Sequence, residues 1–189
     1  MITYTRSTTD TALAAILALQ KINLKENITG NEMESQGFLT VSHTLADLQA
    51  LNNYEKHLII KDDEKVVGYL LAMTKYSKHD IPILIPMFEI FDKISFIGKL
   101  ISAYNYIVIG QVCIDKNYRG QGILNHAYHA YKKYFSEKYD FAITEISTSN
   151  TRSLHAHKKV GFKEIYTYTD SNQMEWSVVI WNWDSIQIL

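Results

Sequence analysis

Two stretches of this chain place residue types at spacings that suit the binding of an anion. The first is Tyr118-Arg119-Gly120-Gln121-Gly122, which follows an apolar run and precedes an amphipathic one that opens with Ile123 and Leu124. A strand that feeds a glycine-punctuated turn and then a helix leaves the first helical N–H groups unpaired, and the helix dipole adds positive potential there. Gly120 and Gly122 remove side chains where a diphosphate would approach the main chain. Arg119 offers either a full positive charge or a brace for the helix end. On these residues alone, an ordinary strand-to-helix turn is an equal reading. The second stretch, Asn150-Thr151-Arg152-Ser153, opens a short helical segment that Gly161-Phe162 closes. If the strands before the two turns are parallel neighbours, both turns face one ligand.

The elements that must position these turns follow from periodicity. Ile2–Arg6 reads as a first strand. Thr9 or Asp10 offers an N-cap for a helix over Ala12–Ile22, and Thr44–Asn53 reads as a second short helix. His57–Lys61 and Lys65–Thr74 form a hairpin around Asp62-Asp63-Glu64. Tyr106–Ile114 is a third strong strand, in which Gly110 marks a bulge or a close backbone approach. After Gly122 the period becomes helical, with Leu124, Ala127, Tyr128, Tyr131 and Phe135 on one face. Phe141–Ser147 alternates as a strand, and Thr151–Val160 is a helix ended by Gly161. Phe162–Thr169 and Met174–Trp183 close the chain as a hairpin. This order predicts an α/β fold of the α+β type: one mixed, mostly antiparallel sheet flanked by helices. The unit from Val108 to Ser147 should be a right-handed parallel crossover.

Composition bounds the partners. With 189 residues, 47% hydrophobic and 21% charged, the chain is expected to form a single domain over 1–189 with a core of its own. A net charge of -1, without a Lys/Arg run, gives no electrostatic footprint for nucleic acid. The apolar stretch from about Ile81 to Ile109 is interrupted by Glu89, Asp92, Lys93 and Lys99, so no membrane span is expected. Cys113 is the only cysteine, which excludes an intramolecular disulfide and argues against a thiolate metal site. No metal is expected at the pairs His126/His129 or His155/His157, which lack a supporting carboxylate. No signal peptide is read at the N-terminus, and a cytoplasmic location is the default.

The two turns together resemble the GNAT superfamily of acyl-CoA-dependent N-acyltransferases. In that family the diphosphate-binding sequence runs Arg or Gln, two residues, Gly, one residue, then Gly or Ala. Arg119, Gly122 and Leu124 occupy those places, after the frequent Tyr-Arg-Gly form. A second family pattern sets Asn before a small residue, an aromatic and Gly-Phe, matched by Asn150, Ser153, His157, Gly161 and Phe162. The resemblance implies acetyl-CoA as cosubstrate, with cofactor contacts at Val112, Cys113, Ile114, Arg119, Gly120, Gln121, Gly122, Ile123, Leu124, Asn150 and Ser153. It also implies an amine acceptor, attacked directly in a ternary complex near an oxyanion-stabilising N–H at Cys113.

Two departures bear on the chemistry. Leu124 stands where the family has Gly or Ala, and His157 stands where it has a tyrosine that can protonate the leaving thiolate. Glu145 matches the strand glutamate that serves some relatives as general base; a solvent-facing or lysine-paired carboxylate is the plain alternative. His157 is expected either as the acid or as a histidine filling the tyrosine's space. The segment from about 76 to 105 is a helical insertion, with Phe88, Phe91, Ile94, Phe96, Ile97, Leu100 and Ile101 on an amphipathic helix or two. It would act as core cover, acceptor lid or homodimer contact. The competing function is a catalytically silent acyl-CoA sensor, for which Glu145 and His157 would be inessential.

Overall fold

The computed structural model describes residues 1–183. In chain order the elements are β1 (Ile2–Arg6), α1 (Asp10–Asn23), α2 (Gly30–Gln36), α3 (Leu45–Tyr54), β2 (Leu58–Asp62), β3 (Lys65–Thr74), α4 (Ile85–Phe91), β4 (Ser95–Phe96), β5 (Lys99–Leu100), β6 (Tyr106–Ile114), α5 (Ile123–Phe135), β7 (Phe141–Ser147), α6 (Thr151–Val160), β8 (Lys163–Thr169) and β9 (Glu175–Asn182). Seven strands form one sheet in the order β1-β2-β3-β6-β7-β9-β8. Every neighbouring pair is antiparallel except β6 and β7, the predicted parallel crossover through α5.

Helices cover both faces, which is why β3 and β6 read as continuous apolar runs rather than alternating ones. On one face Leu13, Ile16, Leu48 and Leu51 of α1 and α3 pack with Tyr69, Leu71, Met73, Val108 and Ile143. On the other, Ala127, Tyr128, Tyr131 and Phe135 of α5 pack with Leu70, Ala72, Ile107, Ile109 and Ala142. Thr9 caps α1 by accepting from the Ala12 N–H at 3.2 Å, and Thr44 with Asp47 forms a capping box at α3.

Two sequence expectations need correction. Helix α2 lacks an apolar stripe, since Met33 is its only large apolar residue, so periodicity misses it. The sign of it was the Thr29/Glu32 capping box, which the structure contains. The segment 76–105 is not one or two amphipathic helices. It is three 3-10 turns, the seven-residue α4 and the small β4-β5 hairpin, with Pro82 and Pro86 each at a helix start rather than inside a longer helix. Phe88, Phe91, Phe96 and Ile101 are buried, and the rings of Phe91 and Phe96 pack on Tyr106 and Phe141 respectively. Those residues lie where β6 and β7 are still paired, so the segment covers core at the closed end of the pair.

Pairing between β6 and β7 is short. It runs through Tyr106↔Phe141, Ile107↔Ala142 and Val108↔Ile143, and stops. Just beyond, Leu70 of β3 opposes Val112 while Ala72 opposes Ile109. Two residues of β6, Gly110 and Gln111, therefore face one of β3, a bulge, which is one of the two readings Gly110 offers in the sequence. A bulge bends the strand that carries it and increases its twist, which turns β6 away from β7. A Cβ at Gly110 would overlap Met73 Sδ, so any other residue there would have to displace the buried Met73 side chain.

Candidate active site

Where β6 and β7 part, a cleft opens to solvent. Ile109 to Val112 of β6 and Thr144 to Ser147 of β7 line it, with Asn150, Ser153 and His157 of α6 and Trp176 of β9. The remaining wall is Phe38 to Val41, from the connection between α2 and α3. At the inner end the Thr144 hydroxyl donates to the Ile109 carbonyl at 2.8 Å, the last link across the splay.

The glycine turn lies at the C-terminal end of β6. Gly120 and Gly122 have φ of +77° and +76°, the left-handed region that penalises other residues, and space beside Gly120 is open. Helix α5 has no side-chain cap, and the amide of His126 is the first to bond back, to the Gly122 carbonyl at 3.2 Å. The preceding amides are the donors an anion would need. Ile123 is buried and Leu124 packs against the core below α5, so the bulk of Leu124 is accommodated in the core. Gln121 turns back to donate to the Asn117 carbonyl.

Arg119 acts as a brace. Its Nε donates to the Ile114 carbonyl at 2.8 Å, and its terminal nitrogens donate to Asn23 Oδ1 at 2.6 Å and Gln36 Oε1 at 3.3 Å. The turn is thereby tied to the ends of α1 and α2. Asn150 does similar work from α6: its oxygen accepts from the Ser153 N–H at 3.2 Å, and its amide donates to the Phe38 carbonyl at 3.0 Å. A Cβ at Gly37 would meet that oxygen at 2.9 Å. Val112 borders the cleft, but Cys113 and Ile114 are buried on opposite faces of the sheet and do not. Burial pushes the Cys113 thiol up to about 12, which disqualifies it as a nucleophile near neutral pH.

Glu145 reaches the cleft from the middle of β7. Burial pushes its carboxyl up to about 7, opposed by a 2.6 Å hydrogen bond from the Tyr168 hydroxyl. A half-protonated carboxylate near neutral pH is matched to accepting a proton there. His157 is differently placed. Burial lowers it to about 4, so the ring is neutral. The Ser153 carbonyl, 2.8 Å from Nδ1, can only accept, which puts the ring proton on Nδ1. Nε2 then accepts from the Tyr128 hydroxyl at 2.6 Å. Both nitrogens are engaged, and the ring packs on Tyr128 and Phe162. That geometry suits a packed strut and leaves no proton to give a thiolate.

The structure thus gathers Val112, Glu145, Asn150, Ser153 and His157 around the cleft, whereas none of the residues from Cys113 to Leu124 lines it. Sequence reasoning missed the wall Phe38–Val41, and Gln111, Thr144, Tyr168 and Trp176. Of these Gln111 had a legible signal, an amide inside an apolar strand run. No residue of 76–105 lines the cleft, and Glu89 and Asp92 lie outside it. Among the described residues no His/Cys/Asp/Glu group has a metal-binding arrangement, and no helix is long and apolar enough to cross a membrane.

The same architecture recurs in solved structures. A chain of the NatC complex bound to Gag peptide and CoA superposes with a TM-score of 0.64 at 15% identity, covering 97% of this chain and 99% of that one. The ribosomal-protein-S18-alanine N-acetyltransferase from Escherichia coli gives 0.61 at 11% identity, covering 100% and 97%. A GNAT-family acetyltransferase from Streptococcus agalactiae gives 0.65 at 10% identity, covering 97% and 96%. These likenesses show the fold. No curated protein sequence matches the chain. The model of the acetyltransferase (GNAT) family matches residues 25–162, a span that includes both turns and the whole β6-α5-β7 crossover. The chain belongs to the GNAT family of acetyltransferases.

Proposed function

We propose that this protein transfers an acetyl group from acetyl-CoA to a primary amine within a ternary complex. The observation that carries the reading is the bulge-driven parting of β6 and β7, which opens a cleft holding Glu145, on a crossover whose helix α5 starts without a side-chain cap. The diphosphate fits the amides from Gly120 to Leu124, where left-handed glycines and an uncapped helix supply donors without steric cost. The pantetheine arm fits between Val112 and the β7 edge. The CoA-bound NatC complex, a relative in fold, supports CoA as the donor's carrier.

The reaction needs an unprotonated amine, because an ammonium has no lone pair. Glu145 takes that proton, and the amine then attacks the thioester carbonyl. Main-chain N–H groups of β6 stabilise the oxyanion. As the intermediate collapses the C–S bond breaks and the amide forms. The departing sulfur takes the second nitrogen-borne proton, directly or through water, so no protein acid is required. Neutral His157 and buried Cys113 stay outside this sequence of steps.

The test has two stages. Acetyl-CoA at a hundred times its dissociation constant should stabilise the fold by about 2.7 kcal/mol in a thermal-shift measurement. Thiol release from acetyl-CoA is then followed with a panel of amines. No shift with acetyl-CoA would end the proposal; a shift without turnover of any amine would favour the silent acyl-CoA sensor.

A further inference from the structure

Beside the cleft lies a buried polar cluster that the reaction above does not use. Gln111, at the β6 bulge, is 8% exposed and sits among apolar neighbours. Its contacts fix its orientation. The Val41 carbonyl can only accept, so Gln111 Nε2 donates to it, at 2.8 Å. Gln111 Oε1 then accepts from the Tyr69 hydroxyl at 2.6 Å and from Gln20 Nε2 at 2.7 Å. Gln20 Nε2 also donates to His43 Nδ1 at 2.9 Å, and Gln20 Oε1 accepts from the His43 main-chain N–H at 2.7 Å. The chain of bonds has one self-consistent direction, running from β3 and α1 through β6 to residues 41 and 43.

The cleft wall Phe38–Val41 is therefore held at two separate places. Its first half is clamped by main-chain bonds between Leu39 and residues 23 and 25, and by Asn150 on the Phe38 carbonyl. Its second half is held by Gln111 on Val41, and His43, two residues beyond the wall, is held by Gln20. Neither glutamine contacts the glycine turn or α5 through a hydrogen bond. Loss of Gln111 would free the wall and leave the diphosphate end intact. A buried amide network of this kind selects one arrangement, because any other leaves groups unpaired in a low-dielectric interior.

We propose that Gln111 is a positioning residue for the acceptor: through Val41 directly, and through Gln20 to His43, it sets residues 40–43, of which Thr40 and Val41 line the cleft, and so decides which amines enter. This rests on the acetyltransferase reading above. The test uses Gln111→Met, which keeps length but makes no hydrogen bond to Val41, and Tyr69→Phe, which removes one hydroxyl and leaves Gln111 on Val41 and Gln20. Hydrogen exchange is followed by peptide, acetyl-CoA affinity by thermal shift, and kcat/KM with butylamine, benzylamine and a tetrapeptide with a free N-terminus.

Gln111→Met should speed exchange at 40–44 by about tenfold, the factor that one lost buried hydrogen bond carries, with residues 24–25 and 39 unchanged. Its kcat/KM should fall unequally across the three amines, while acetyl-CoA affinity stays within about twofold of wild type. Tyr69→Phe should move both readouts the same way by less, and it decides the matter if Gln111→Met fails to fold. Unchanged exchange at 40–44, or an equal loss for all amines that tracks acetyl-CoA affinity, overturns the proposal. Failure of the wild type to turn over any amine strikes the acetyltransferase reading instead, and the exchange data still report whether Gln111 holds the wall.

Discussion

Glutamine in place of Glu145 separates catalysis from stability, because the two should move in opposite directions. The folded protein holds the Glu145 proton more tightly than the unfolded chain does, with the carboxyl lifted from 4.5 to about 7 by burial. At about 1.36 kcal/mol per pH unit, ionising it in place costs up to about 3 kcal/mol, less whatever its partial exposure screens. The sign follows from linkage: this contribution to stability is intact below pH 4.5 and is lost as pH rises through about 7. Glutamine cannot ionise, and its carbonyl can still accept from Tyr168. Glu145→Gln should therefore match the wild type in Tm near pH 4.5 and exceed it at pH 8. For a chain of this size the gain is up to roughly 6–12 °C. Turnover should fall by about 10²–10⁴, the usual contribution of a positioned base, and wild-type kcat/KM should rise with pH through about 7. Differential scanning fluorimetry at the two pH values and a thiol-release assay read both quantities. A variant with near-normal turnover refutes the base assignment, and one less stable than wild type at pH 8 refutes the burial argument.

His157→Phe should keep turnover within about threefold while costing about 1–3 kcal/mol, because the Tyr128 hydroxyl loses its acceptor in a buried site. The double variant with Tyr128→Phe should recover much of that in urea denaturation, whereas a large rate loss would restore His157 as a catalytic group. Gly110→Ala should destabilise by at least about 1–3 kcal/mol, since the new Cβ meets the fully buried Met73 side chain. Combining it with Met73→Ala should relieve the clash, and an unchanged urea midpoint in Gly110→Ala alone would contradict the packing at the bulge.

Much of this protein was legible in its residues taken locally. Backbone sterics place glycine at left-handed positions, so Gly122 at the start of α5 and Gly161 at the end of α6 could be read without a partner in view. The apolar face of α5 and the caps at Thr9 and Thr44 are likewise short-range facts. Gly110 inside a strand run signalled a bulge or a close backbone approach, and the pairing of β3 with β6 shows the bulge. The seven residues of α2 escaped because periodicity needs apolar positions to repeat, and that helix has only Met33.

What the tertiary structure alone decided is the state of the groups at the cleft. Whether Arg119 meets a ligand or braces the turn depends on Asn23 and Gln36, which reach it from 96 and 83 residues away. Whether His157 can give a proton depends on Tyr128 and the Ser153 carbonyl, and the basicity of Glu145 depends on burial beside Tyr168. The cleft wall is drawn from residues 38–41, and Gln111 meets it across 70 positions of sequence. Local periodicity records which face of an element is apolar. Proton affinity and hydrogen-bond direction are set by desolvation and by neighbours a few ångströms away, and folding alone brings those neighbours together.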